Sequence, residues 1–257
     1  MKIRYQIRST AVAAVAAAFF AISLTTNGAD VIIVAPNNLG NTEGNSGDTT
    51  PFGAFGPLRS QQVYGASQFS AIAQGGGWID AISFRVDAGS TLGAATTATN
   101  LQINLSTTAR APDGLSSTFA QNVGANDKVV FGPASLALIG YHSGSTTPQS
   151  FSIRIPFSTP FFYDPNAGNL VMDVRNFTGG SSFGVFDGQL TIGDSVSRVV
   201  GFVDAPSMFA SDSFGFATQF EVTPVPEPSS WALMALCLGG LLLWQSPERG
   251  EDASKRR

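Results

Sequence analysis

Short runs in which apolar and polar residues alternate, parted by glycine- and proline-rich turns, leave this chain few folds to choose from. In LQINLST, Leu101, Ile103 and Leu105 alternate with Gln102, Asn104 and Ser106. FSIRIPF sets Phe151, Ile153, Ile155 and Phe157 against Ser152 and Arg154, and NLVMDVRNF sets Leu170, Met172 and Val174 against Asp173 and Arg175. FATQFEV places Phe216, Thr218, Phe220 and Val222 on one side. In WIDAISFRVD the same period puts Trp78, Ile82, Phe84 and Val86 on one face, with Asp80 among them, and Ile79, Ser83, Arg85 and Asp87 on the other. A period of two is that of a strand with one buried face, the ordinary condition of antiparallel sheets. RAPDGLSS, HSGSTTPQ, DPNAGN and NFTGGSS read as the turns between them. The expected fold is all-β: a single antiparallel β-sandwich of jelly-roll or lectin-like type, with a closed barrel as the alternative.

Composition agrees with a folded, turn-rich body. Apolar residues make up 43% of the chain, enough for a core, while charged residues make up only 12%, about half the usual share. From Asp30 to Pro228 there are 15 acidic residues against 7 basic ones, a balance of −8. So acidic a domain has no electrostatic footprint for DNA or RNA, and nucleic acid is excluded as an expected partner. The single cysteine, Cys237, lies near the C-terminus, so the domain has neither disulfide nor thiolate metal site.

Both ends carry a different pattern. Lys2, Arg4 and Arg8 precede an apolar run from Ala11 to Leu24, followed by small and polar residues. That order is the layout of a secretory signal peptide over residues 1–29, and the run is too short to span a bilayer. Residues 30–58 show no period and read as an irregular lead-in to a β-domain over 59–223. Residues 224–257 begin with prolines in an extended linker. An apolar helix from Trp231 to Trp244 is expected next, bracketed by tryptophans suited to a membrane interface. Arg249, Lys255, Arg256 and Arg257 follow it, on the side that positive charge keeps cytoplasmic.

Val225-Pro226-Glu227-Pro228-Ser229, then a hydrophobic helix, then basic residues: this order resembles the PEP-CTERM sorting signal of exported proteins in exopolysaccharide-producing Gram-negative bacteria. The resemblance covers roughly the last 33 residues. Glu248, Glu251 and Asp252 stand where that family places its arginine cluster. It implies an exosortase-type membrane processing enzyme as partner, beside signal peptidase and the secretion machinery. It also implies a transient inner-membrane stage before the cell surface, outer membrane or extracellular matrix. LSTTARAPDGLSSTFAQNVGANDKVVF and FFYDPNAGNLVMDVRNF are similar to a recurrent domain of such proteins, which brings no activity with it.

Catalytic patterns are weak. His142 is the only histidine, in IGYHSGST, and no serine sits in a G-x-S-x-G elbow, so a Ser-His-Asp triad is not expected. One histidine also rules out a multi-histidine metal site. Paired carboxylates could hydrolyse glycosides, with Asp80, Asp173, Asp187 and Glu221 as candidates. Asp164 and Asn166 in DPNAGN look like the opening of a calcium loop, but Arg175 stands where an EF-hand needs its last acid, so a turn is preferred. Tyr64, Trp78, Tyr141 and Tyr163, with Phe161 and Phe162, are the aromatics to weigh as a sugar-stacking patch. The expected protein is therefore an exported, non-catalytic surface or matrix component. A carbohydrate-binding module, with or without calcium, is the alternative; three coplanar exposed aromatics on one sheet face would favour it. A glycosidase comes third.

Overall fold

The computed structural model describes residues 30–225, apart from 54–55, 73–74, 91–93, 141–146 and 181–184. This body is all-β, and its only helical pieces are four 3-10 turns of three or four residues. In chain order the strands are β1 (Val31–Ala35), β2 (Ser46–Asp48), β3 (Leu58–Tyr64), β4 (Gly77–Phe84), β5 (Ala94–Thr108) and β6 (Lys128–Gly140). They continue as β7 (Ile153–Tyr163), β8 (Asn169–Asn176), β9 (Phe186–Leu190), β10 (Val196–Phe202), β11 (Ala210–Asp212), β12 (Phe214–Phe216) and β13 (Thr218–Pro224). Every pairing is antiparallel. They form a four-stranded sheet β1-β13-β4-β7, a six-stranded sheet β11-β10-β3-β8-β5-β6 and a small sheet β12-β9-β2.

One apolar cluster joins all three sheets, taking Ile79, Ile82, Phe84 and Phe220 from the first, Leu101, Ile103, Met172 and Val174 from the second, and Phe186 and Phe216 from the third. Burying each such side chain contributes roughly 1.5–3 kcal/mol. Phenylalanines concentrate in two knots. Phe52 lies 5.3 Å from Phe84, 5.4 Å from Phe186 and 6.0 Å from Phe216. Phe69 lies 5.1 Å from Phe220 and 4.9 Å from Tyr163, mostly edge to face, as ring quadrupoles prefer. Gln62 fastens the sheets together: its amide accepts from the Phe216 N–H at 3.0 Å and donates to the Phe216 carbonyl at 3.3 Å.

The alternation holds where expected for Leu101, Ile103, Leu105, Ile153, Ile155, Phe216, Thr218, Phe220 and Val222, all buried. Two expectations need correction. Trp78 does not share the inner face with Ile82 and Phe84: it is exposed, and Ile79 is buried in its place. Between Ile79 and Ala81 the strand carries one residue more than its partner β13, where Val222 faces Ile79 and Glu221 faces Ala81, and this bulge at Asp80 reverses the parity of β4. Residues 30–58 are also not an irregular preface. Within them, β1 pairs with β13, β2 pairs with β9, and Phe52 sits fully buried among three phenylalanines. The expected signal helix and C-terminal hydrophobic helix lie in 1–29 and 226–257, outside the described residues.

The polar face of the six-stranded sheet is not open to water. At one level across four strands, Val199, Gln61, Asp173 and Asn104 are register neighbours, and all are buried. The segment between β5 and β6 lies over them, with Phe119 and Asn122 fully buried. The guanidinium of Arg59 lies 4.4 Å from the Phe119 ring centroid. Gly201 must lack a side chain there, since a Cβ would come within 2.8 Å of that ring.

Candidate functional site

The structure separates the nominated aromatics. Tyr64, Tyr163 and Phe161 belong to the core. The Tyr64 hydroxyl lies 2.8 Å from Thr218 Oγ1, the Tyr163 hydroxyl donates to the Gly168 carbonyl at 2.9 Å, and burial pushes both phenols well above their ordinary pKa. These two are therefore no part of a sugar platform. Tyr141 lies outside the described residues, as does His142. Trp78 and Phe162 remain, 43% and 39% exposed, with ring centroids 5.3 Å apart. Their planes meet at 61°, so among the described residues the face offers two inclined rings rather than three coplanar ones.

Polar groups surround this pair. Trp78 is the register partner of both Phe162 and Thr223. The Thr223 hydroxyl lies 2.9 Å from Asp30 Oδ1 and from Asp80 Oδ2, and its one proton serves one of them at a time. Half-buried Asp80 is thus tied to a side chain of the neighbouring strand. Glu221, on β13, accepts two bonds from Arg154 at 2.7 and 2.6 Å; the pairing holds its carboxyl below the ordinary value and raises the guanidinium.

The other two nominated acids are enclosed. Asp173 accepts from Arg59, Gln61 and Arg175. Asp187 is fully buried, accepting from Arg85 Nε at 2.6 Å and from the Gly44 N–H at 3.0 Å. Burial raises Asp187 to about 6, although Arg85 pulls it back. A carboxyl with that pKa suits acid catalysis, yet neither Asp173 nor Asp187 faces solvent where a glycan could reach it.

Asp187 instead meets two residues that sequence reasoning passed over. One carboxylate oxygen each from Glu43, Asp87 and Asp187 lies within 4.8 Å of the others, a group that could hold a metal ion. Arg85, buried and ion-paired with Asp187, already supplies a positive charge there. Glu43 comes from the stretch without period and Asp87 from beyond the end of β4, so no local spacing announces the cluster. The nominated calcium residues are elsewhere: Asp164 Oδ1 accepts from the backbone and the side-chain amide of Asn166, both at 2.9 Å, and caps the 3-10 turn Pro165–Ala167. That is the turn the sequence favours over a calcium loop.

The chain matches no protein-family model, no curated protein and no solved structure.

Proposed function

We propose that this chain is an exported, non-catalytic surface or matrix protein whose β-domain is delivered by an N-terminal signal and sorted through its C-terminal tail. The supporting observation is where the sheet stops. Strand β13 ends at Pro224, and the next residue, Val225, donates its N–H to the Gly76 carbonyl at 3.1 Å. Val225 also opens the Val225-Pro226-Glu227-Pro228-Ser229 motif. Cleavage beyond it leaves every strand pairing of the described body intact. The shared apolar cluster favours the two larger sheets as layers of a single sandwich. Signal peptidase and an exosortase-type enzyme are the processing partners in this reading, exopolysaccharide is the surrounding phase, and the acidic balance leaves nucleic acid out. Replacing Pro226, Glu227 and Pro228 with alanine should leave uncleaved protein in the inner-membrane fraction. A distribution identical to that of the unaltered protein would refute the sorting role.

A second reading, a carbohydrate-binding module, draws on the exposed Trp78–Phe162 pair beside Asp30 and Asp80. Trp78→Ala should abolish retardation in gels cast with the host's exopolysaccharide. Retardation unchanged by the substitution would remove this face from consideration, and a calcium-dependent form of the reading further requires loss of retardation in EDTA.

A further inference from the structure

A cleft of about 260 Å³ opens at the β10–β11 side of the six-stranded sheet, far in sequence from Trp78. Among the described residues only two non-glycine residues have positive φ, Asp113 at 58° and Ser195 at 70°. Asp113 lines the cleft, and Ser195 lies in the β9–β10 turn that carries Ile192 to its rim. Aspartate adopts such a φ readily in tight turns, here the one closed by the Gly114 N–H on the Ala111 carbonyl at 3.0 Å, and further bonds can hold the turn in place. The bonds are present here. The Asp113 N–H donates to Ser197 Oγ at 2.7 Å, while its carboxylate accepts from the Gly193 N–H at 3.0 Å and from Ser213 Oγ at 2.7 Å. Through its backbone N–H and its carboxylate, Asp113 thus ties its own turn to the segments around Ser197, Gly193 and Ser213.

The chemistry of the walls selects a ligand class. Arg198 lies 4.1 Å from the Phe214 ring centroid and pairs with Asp212 at 2.9 Å and Asp48 at 2.6 Å. Its Nη1 is close to Asp48 without an N–H directed at an acceptor, so that contact is Coulombic rather than a hydrogen bond. Of the groups lining the cleft, Asp113 and Asp212 outnumber this single cation, whose charge Asp48 further offsets from outside the lining, and this disfavours anionic ligands. Carboxylates and serine hydroxyls offer acceptor positions beyond those already used, so a ligand rich in O–H donors is matched. Ile192, 84% exposed, adds an apolar surface at the rim. The volume lies just under the range of drug-sized pockets and suits a single small ring.

We propose that this cleft binds a neutral pyranose unit, either a free sugar or the end of a glycan, held by Asp113, Asp212 and Ser213 with its C–H face against Ile192. The inference goes beyond the Trp78–Phe162 reading and stands or falls separately. Saturation-transfer NMR on the full-length protein with millimolar glucose, galactose, mannose, N-acetylglucosamine and glucuronate tests it. At least one neutral sugar should give signal, glucuronate should give none, and a short neutral oligosaccharide of the responding sugar should show the effect confined to its terminal ring if the glycan end is the source. Ile192→Ser and Ser213→Ala should each weaken binding about tenfold, the scale of one lost pocket contact, while Trp78→Ala leaves it unchanged. Thermal midpoints equal to wild type confirm that the variants fold. Absence of signal from every neutral sugar, a stronger glucuronate signal, or binding unaffected by both cleft substitutions would overturn the proposal; loss only in Trp78→Ala would overturn it in favour of the aromatic face.

Discussion

The two faces of the six-stranded sheet are buried to a similar extent by opposite means. On the inner face Leu101, Ile103, Leu105, Leu170, Met172 and Val174 pack into the common apolar cluster. On the outer face Gln61, Asn104, Asp173 and Asn122 are equally hidden, and hydrogen bonds hold them. Asn122 donates to Gln61 Oε1 and to the Ser116 carbonyl, both at 2.9 Å, Gln61 donates to the Phe119 carbonyl at 3.2 Å, and Asn104 donates to Asp127 at 2.9 Å. The inner face gains from removing carbon from water. The outer one gains little from each bond but costs heavily if a partner is lost, so it fixes where the covering segment lies more than it adds stability.

That contrast can be broken or sharpened by substitution, in descending order of effect. Phe84→Ala, which opens the inner aromatic knot, should lower unfolding free energy by about 3–5 kcal/mol in urea titrations. A loss under about 1 kcal/mol would mean the knot is not the core. Asp187 gives a pH signature. Its folded pKa of about 6 lies above its ordinary 3.8, so the native state holds the proton more tightly. Its contribution to stability is greatest below about pH 4, falls by on the order of 2–3 kcal/mol as pH rises to about 6, and is level above. Asp187→Asn should flatten that slope, because the neutral amide carries no charge whose burial costs stability as pH rises. An unchanged slope would contradict the assignment. On the outer face, Asp173→Ala should cost about 2 kcal/mol by stranding Arg59, whereas Arg59→Met combined with Asp173→Leu should come within about 1 kcal/mol of wild type. If the double replacement costs more than the single one, the polar layer stabilises the fold in its own right. Arg154→Ala, on an exposed pair, should change the unfolding free energy by under about 1 kcal/mol.

How much of this was legible follows from the same physics. Strands with one apolar face, such as Leu101–Leu105 and Phe216–Val222, announce themselves by alternation. LRSQQVY of β3 and VSRVVGF of β10 do not, because both of their faces are buried and neither is uniformly apolar. Local period also misplaced Trp78, since a bulge depends on the neighbouring strand. The stretch 30–58 has no period because its strands are short and its glycines and Phe52 serve contacts distant in sequence. Of the candidate surfaces, Trp78 and Phe162 were visible as residue types, while the Glu43–Asp87–Asp187 cluster and the Asp113 cleft arise from long-range juxtaposition alone.

The sorting account is tested most directly by intact mass spectrometry of the mature protein from fractionated cells of its native host. The account predicts a species lacking residues 1–29, ending between Val225 and Ser229, and found outside the inner membrane. A species that still carries Trp231 to Arg257 and stays in the inner membrane would contradict it, leaving the tail as an anchor.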